Sequence, residues 1–383
     1  MFLSLIFVGT IVLFLAMAAG ALWHLRWMQP LPPLDGAPAA ALGATLCSVV
    51  IAARDEEARI EKTVRQLLAQ TGVSLEIIVV DDRSTDGTSR ILRELARTDP
   101  RLRVVRIDSL PEGWLGKCHA CHLGASAAAG QWILFTDADC WMKTDLIARA
   151  LRAATRDQAD HIVLTPGIVV KTVAAQAWYL LFLISFSNWF SGVNRNRPRA
   201  YMGFGAFNFV RAEAYRQCGG YEALRLTVLD DLRLGLLLSR SGRRTRAFLG
   251  RADVECHWGT TLPELIRAMD KNYFAAADFR LSVVVGATMA LLAILGILAG
   301  ALWTASPLSL VAAAAPFLLC IPACVLARRV GWSGAAALAI PCMFLAFYYG
   351  ILRSTFVTLR GGGVRWRDTF YPLALLRSGT VRE

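Results

Sequence analysis

Three short apolar runs in the first half of the chain stop abruptly in acidic residues, and this repetition limits the available folds more than any other feature. Residues 46–53 lead into Arg54, Asp55, Glu56 and Glu57; residues 75–80 lead into Asp81 and Asp82; and Trp132 to Phe135 lead into Thr136, Asp137, Ala138 and Asp139. Each run is too short for a stable helix and rich in strand formers. Between them lie helical patterns at 58–70 and 88–98, another strand at 102–107, and a Gly/Pro-bearing loop at 110–117 that opens an Ala-rich helix. Strands alternating with helices predict an α/β fold with a mostly parallel sheet covered on its faces. Ligands of such sheets bind beyond the C-terminal strand ends, so the carboxylates should gather along one edge. Asp137 and Asp139 stand one residue apart and repel unless a cation lies between them. Hard oxygen ligands of this kind suit Mg²⁺ or Mn²⁺, which also take oxygens from a diphosphate. Asp is common in turns after strands for other reasons, so the pair draws its weight from its neighbours.

The ends of the chain are of another kind. Of 383 residues, 55% are hydrophobic, and the mean hydropathy of +0.45 exceeds that of an ordinary soluble domain. Residues 1–24 form an apolar anchor without a basic leading region, which favours an N-terminus outside over a cleaved signal. Residues 25–45, rich in proline, read as a linker. Blocks at 281–305, 307–326 and 335–357, within a membrane region at 281–359, are each long enough to cross. The uncharged stretch 173–190 barely is, and reads as an interfacial helix followed by Arg195, Arg197 and Arg199; a buried core helix is the alternative. The net charge of +12 is mostly arginine. No aromatic-plus-basic motif accompanies it, so anionic lipid and a phosphate-bearing substrate account for it and nucleic acid does not. Nine cysteines without framework spacing read as thiols in a reducing compartment.

The ordered series Ala53-Arg-Asp-Glu, Val80-Asp-Asp-Arg-Ser-Thr-Asp-Gly-Thr, Gly116-Lys117 and Thr136-Asp-Ala-Asp139 resembles the nucleotide-sugar half of family-2 glycosyltransferases, whose α/β domain has the fold called GT-A. The resemblance covers a catalytic domain at 46–277, with a nucleotide-sugar half at 46–145 and an acceptor half at 160–277. With an N-terminal anchor and a hydrophobic C-terminal region, the layout resembles the lipid-acting branch: hopanoid-associated, carotenoid-acid and ceramide glycosyltransferases. The resemblance implies that Asp55 and Asp82 contact the base and ribose of a uridine diphosphate sugar, where a carboxylate accepts an imide N–H or a hydroxyl. Lys117 would meet the phosphates. Asp139 would be the direct metal ligand, and Asp137 would share the metal or reach the sugar. Gly203 to Asn208 would lie under the donor sugar, and the acidic pair at Asp230 and Asp231 would supply the general base, Asp231 acting and Asp230 in support. Two acids opening a helix are also ordinary capping. Glu56 and Asp81 read as structural.

Residues 270–275 stand where processive relatives carry Q-x-x-R-W, which is absent here, and this implies a single transfer. Cys118-His-Ala-Cys121-His122 spells C-x-x-C-H, the pattern of haem attachment or a zinc site. Inside an Ala-rich helix directly after the Gly-Lys pair, it reads instead as buried thiols and helix-face imidazoles. Trp258 is a candidate sugar-stacking wall. The basic aromatic tail at 360–383, expected in the cytosol, resembles that of the hopanoid- and carotenoid-type enzymes, which implies that it folds back over the diphosphate; a basic juxtamembrane tail that binds lipid is the alternative. Three full crossings after residue 281 would leave Arg360, Arg365 and Arg367 outside, against the positive-inside rule. Pro341 is the expected break that prevents one of them. The sequence therefore predicts a multi-pass protein of the cell membrane with a cytosolic catalytic domain. It would be a metal-dependent, inverting enzyme that moves a sugar from a nucleotide donor to a lipid acceptor. A non-catalytic membrane scaffold that keeps a nucleotide-binding shell is the alternative.

Overall fold

The computed structural model describes residues 2–34, 44–251 and 253–382; much of the linker expected at 25–45 lies outside the described residues. Contacts divide the chain into two units. A sheet unit comprises Met28–Val169, Gly192–His257 and Ala374–Glu383, and a helical unit comprises Met1–Trp27, Val170–Ser191 and Trp258–Leu373. The expected catalytic domain at 46–277 is thus interrupted, because Val170–Ser191 and everything from Trp258 to Leu373 pack with the apolar helices.

The sheet unit carries β1 (Leu46–Ala53), β2 (Ser74–Asp82), β3 (Leu102–Ile107), β4 (Trp132–Asp137), β5 (Cys140–Met142), β6 (His161–Thr165), β7 (Gly167–Ile168), β8 (Asn208–Arg211), β9 (Thr245–Leu249) and β10 (Val254–Cys256). Seven of these form one sheet in the order β3-β2-β1-β4-β8-β6-β9. All its neighbours are parallel except β8, which runs against β4 and β6. Val49 to Ile51 and Ile77 to Val80 are fully buried, as near-continuous apolar strands are when a parallel sheet is covered on both faces. The register aligns the acidic strand ends: Ala53 lies opposite Asp81 and Ala52 opposite Asp137. The carboxylates therefore share one edge, as the strand ends predict.

A smaller sheet, β5-β10-β7, follows the D-A-D turn. Its antiparallel register sets Cys140 opposite Cys256 with Cα atoms 4.6 Å apart, and the two form a disulfide. This corrects the reading of all nine cysteines as thiols. A partner 116 residues away is set by strand register, which cysteine spacing does not reveal. The other seven cysteines are free.

Two glycines let backbone meet backbone beside the acidic edge. A Cβ on Gly203 would overlap the carbonyl of Asp231, and one on Gly235, in the helix Asp230–Arg240, would overlap the carbonyl of Met202. The segment before β8 is thereby laid directly on that helix.

The helical unit begins with Phe2–Leu25. Val173–Ser185 follows, with Trp178 to Leu183 buried and Trp178 set 6.0 Å from Phe347, ring centre to ring centre. The interfacial helix expected at 173–190 is therefore mostly buried against neighbouring aromatic side chains, and it breaks at Phe186 before Ser187–Asn194. Trp258, the candidate sugar-stacking wall, also packs here, edge-on to Tyr179 and Phe182. Leu281–Thr304 is a single helix, whereas the next block is Pro307–Ala314 and Cys320–Arg329 joined by a 3₁₀ turn. Pro341 does not break the last helix, Ile340–Gly361; it sits in its first turn, where a missing N–H costs nothing. A hairpin of β11 (Gly363–Trp366) and β12 (Thr369–Pro372) closes the unit. Among the described residues, five helical stretches are long and apolar enough to cross a membrane.

The chain twice leaves the sheet unit and returns to it. Residues 374–383 belong to that unit: Leu376 is buried, and the Val381 N–H donates to the Thr227 hydroxyl at 3.5 Å.

Two outcomes follow. Gly203→Ala and Gly235→Ala each destabilise the protein by about 1–3 kcal/mol, as overpacking does, seen as a lowered thermal midpoint in detergent. Single cysteines introduced at Asp108 and Ser378 in intact cells react with an impermeant maleimide from the same side of the membrane, because residues 374–383 pack within the sheet unit; labelling from opposite sides would refute that packing.

Candidate active site

Lys117 stands at the centre of the acidic edge. It lies in the first turn of the helix Gly116–Ala127, and its ammonium is 2.7 Å from Asp137 Oδ1 at the end of β4. It is also 3.6 Å from Asp230 Oδ2, in the first turn of the helix Asp230–Arg240. Burial alone would lower the Lys117 pKa, but the carboxylates of Asp137, Asp230 and Asp231 outweigh it and hold the ammonium well above its ordinary value. Asp230 is buried and also accepts from the Tyr221 hydroxyl at 2.9 Å. Its carboxylate is committed to holding Lys117, which fits a supporting place beside Asp231.

Gly205 joins the two halves of the site. Its N–H donates to Asp231 Oδ2 at 2.6 Å, and its carbonyl accepts from the Asp137 N–H at 3.0 Å. A Cβ there would press on the Asp137 carboxylate. Asp231 Oδ1 also accepts from the Leu232 N–H at 2.8 Å. Burial, followed by the charge of Asp230, pushes the Asp231 carboxyl up to about 6 against the opposing pull of Lys117. Beneath this runs a buried polar chain. Asn208 donates from Nδ2 to the Asp231 carbonyl at 3.1 Å and accepts through Oδ1 from His161 Nε2. That acceptance leaves His161 Nδ1 to receive the Thr245 hydroxyl at 3.1 Å. Burial pushes the imidazole down to about 4, so the ring is neutral and serves to hold the Asp231 backbone in place.

Asp139 lies past the turn, whose centre is tied down where the Thr63 hydroxyl donates to the Ala138 carbonyl at 2.6 Å. Its carboxyl is pushed up to about 6 by burial first, then by the charges of Asp137 and Glu56. Arg59, 3.8 Å from Glu56, offsets part of that repulsion, and oxygen donors in such a set fit a divalent cation. Asp139 and Asp137 would be its ligands, with Glu56 adding field. The sulfurs of Cys140 and Cys256 also lie within 4.8 Å of the Asp139 carboxylate, but they are bonded to each other and the oxygen donors remain.

The two nucleoside candidates occupy the neighbouring strand ends. Asp55 adopts a left-handed backbone, φ +53, and accepts from the Thr85 N–H at 2.7 Å and hydroxyl at 3.2 Å. Asp82 accepts two bonds from Arg83, at 2.7 and 3.1 Å, and abuts Gly116, where a Cβ would overlap its carboxylate. Each carboxylate keeps lone pairs for a further donor. Asp81 is buried and accepts from the Ser84 N–H, the Ser89 hydroxyl and Arg106. Cys118 and Cys121 are buried free thiols, and Trp114 stands 5.3 Å from His119 and 5.1 Å from His122, ring centre to ring centre. Burial raises both thiol pKa values, which favours the protonated thiols.

Sequence reasoning missed Gly205 as a bridge, the His161–Asn208 pair and Tyr221. The signals available were a polar Asn at the start of an apolar strand and a His opening another. Neither carries its partner in its own sequence neighbourhood.

Residues 48–219 match the family model described as glycosyl transferase family 2. Two 4,4'-diaponeurosporenoate glycosyltransferases are similar. That of Staphylococcus haemolyticus is 27% identical over 216 residues, covering 54% of this chain and 55% of that protein. That of Staphylococcus aureus is 27% identical over 192 residues, covering 49% and 50%. The chain spans about half the length of these curated relatives. Among solved structures, the mannosyltransferase PcManGT from Pyrobaculum calidifontis, in complex with GDP-Man and Mn²⁺, aligns with a TM-score of 0.53 at 19% identity, covering 92% of this chain and 99% of that one. The sheet unit thus has the GT-A fold.

Asp139 and Asp231 both hold their protons more tightly folded than unfolded. The stability this confers is complete below the ordinary carboxylate range and is lost as pH rises through about 6. In metal-free buffer, the thermal midpoint of the wild type should therefore fall relative to Asp139→Asn and Asp231→Asn between about pH 4 and about pH 7. Parallel profiles for the three proteins would contradict these assignments.

Proposed function

We propose that this chain is a membrane-bound inverting glycosyltransferase that moves one sugar from a nucleoside diphosphate sugar to a lipid acceptor of the carotenoid-acid type. The observation that carries the reading is the meeting of Lys117, Asp137, Asp230 and Asp231 around one ammonium, with Asp139 electrostatically joined to Asp137. Phosphate oxygens compete with Asp137 for Lys117, so the arriving donor exchanges one charge partner of the ammonium for another without stranding it. Asp55 and Asp82 take the nucleoside, with uridine as the favoured base. Asp139 and Asp137 hold a divalent ion, Mg²⁺ or Mn²⁺, which when bound supplies positive charge beside the departing diphosphate.

Asp231 acts as the general base. Its carboxyl, pushed up to about 6, is a stronger base than an ordinary aspartate and is still ionised at neutral pH. It takes the proton of a lipid hydroxyl as that oxygen attacks the anomeric carbon from the face opposite the diphosphate. The bond to the diphosphate oxygen breaks, the nucleoside diphosphate leaves, and the configuration inverts. A lipid carboxylate acceptor needs no deprotonation, and Asp231 then orients it. The Asn208–His161 chain holds the backbone of the base in place.

The acceptor class draws support from the two 4,4'-diaponeurosporenoate glycosyltransferases, and metal use from the Mn²⁺-bound mannosyltransferase. Nucleotide sugars are made in the cytosol, so the sheet unit and the tail face that side.

The test incubates membranes with labelled UDP- and GDP-sugars, with and without Mn²⁺, and analyses the extracted lipids. Asp231→Asn should lower transfer to a hydroxyl acceptor by about 10²–10⁴-fold while donor binding persists. Asp139→Ala should abolish both transfer and cation-dependent donor binding. Full activity of either variant counts against the assignment, and donor binding without any turnover in the wild type would favour a scaffold.

A further inference from the structure

The helix Leu146–Arg156 carries arginines at 149, 152 and 156, spaced so that they share one face. With Ala153, Pro32 and Pro33 they line a cavity of about 200 Å³ inside the sheet unit, far above the roughly 10–15 Å³ that one water needs. Two of the three guanidiniums are matched. Arg149 is buried and donates to the carbonyls of Leu31 and Pro32 at 2.6 and 3.0 Å, with Asp253 at 3.0 Å and Asp145 at 3.6 Å. Arg156 grips both oxygens of Asp157 at 2.7 and 2.9 Å.

Arg152 differs. Its Nη1 is shut off from solvent and meets no hydrogen-bond acceptor among the described residues. A guanidinium N–H that has lost water without gaining an acceptor is unfavourable. The facing prolines do not relieve it, since Nη1 makes no hydrogen bond to their carbonyls. What would relieve it is an anion with several oxygens, which a planar fork of donors engages two at a time.

We propose that this cavity binds a phosphate-bearing group, with Arg152 as the inner contact and the exposed Arg156 at the mouth. Pro32 follows the end of the first apolar helix, Leu25, by only seven residues. A phospholipid headgroup is therefore one source of that chemistry, and a soluble phosphate ester is the other. The site is separate from the acidic edge and does not depend on what the edge catalyses.

The experiment uses the full chain in maltoside micelles and phosphate-free buffer. Inorganic phosphate, or phosphatidylglycerol in mixed micelles, is titrated at constant ionic strength, and the thermal midpoint is the readout. The wild type should respond to at least one probe beyond a chloride control, and Arg152→Gln should need about tenfold more of it for the same shift, the loss of one charge-assisted contact. Arg152→Lys should recover part of the response, because it keeps the charge without the fork. Arg156→Gln, at an exposed position, should weaken binding while leaving the fold intact, and it keeps the test open if Arg152→Gln does not fold. A response to phosphatidylglycerol alone identifies a lipid headgroup, and one to free phosphate identifies a soluble ester. No response in the wild type beyond chloride, or wild-type responses in both glutamine variants, overturns the proposal.

Discussion

The ion pair between Lys117 and Asp137 is the contact on which the rest of the site depends. It ties the end of a central strand to the start of a helix, and through Asp230 to the start of a second helix 113 residues further along. Without it, Asp137, Asp230 and Asp231 would crowd together uncompensated in a partly dry setting, where like charges are costly. With it, they form an arrangement that is balanced internally and can be rebalanced by an arriving phosphate. Asp139 stands apart from that ammonium: burial, Asp137 and Glu56 raise its carboxyl, and Arg59 offsets this only in part.

The backbone supports that arrangement from two sides. Gly205 accepts from one aspartate's N–H and donates to the other's carboxylate, while Gly203 and Gly235 let its segment lie flat on the helix that carries Asp231. From below, the neutral His161 fixes Asn208, and Asn208 fixes the Asp231 carbonyl. The C-terminal residues reach the same region. Val381 donates to the hydroxyl of Thr227, whose carbonyl receives the Cys118 thiol at 3.5 Å. Thr227 stands three residues before Asp230, so the tail is coupled to the segment that opens the helix carrying Asp231 and to the helix that carries Lys117.

The sheet and its acidic edge could be read from the sequence because both depend on local patterns. Val49 to Ile51 and Ile77 to Val80 announce buried strands, and acids at the ends of parallel strands can only collect on one side. The β1 register then set Asp81 and Asp137 opposite neighbouring alanines, as that reasoning requires. What could not be read depends on long-range register or on the chain's path. Cys140 finds Cys256 only because β5 and β10 pair in one particular alignment. Asn208 and His161 look like ordinary strand polar residues until the antiparallel pairing of β6 with β8 brings their side chains together. Pro341 was expected to break a membrane helix, yet Pro tolerates a first turn as well as it disrupts an interior, and sequence alone does not place the helix start.

The most direct measurement is an experimental structure of the full-length protein with a nucleoside diphosphate and Mn²⁺. The account predicts the metal between Asp137 and Asp139, the Lys117 ammonium turned from Asp137 onto a phosphate oxygen, and Asp231 still fixed by the Gly205 N–H, facing the vacant sugar position. A nucleotide bound away from this edge, or a metal that leaves Asp139 without contact, would contradict it.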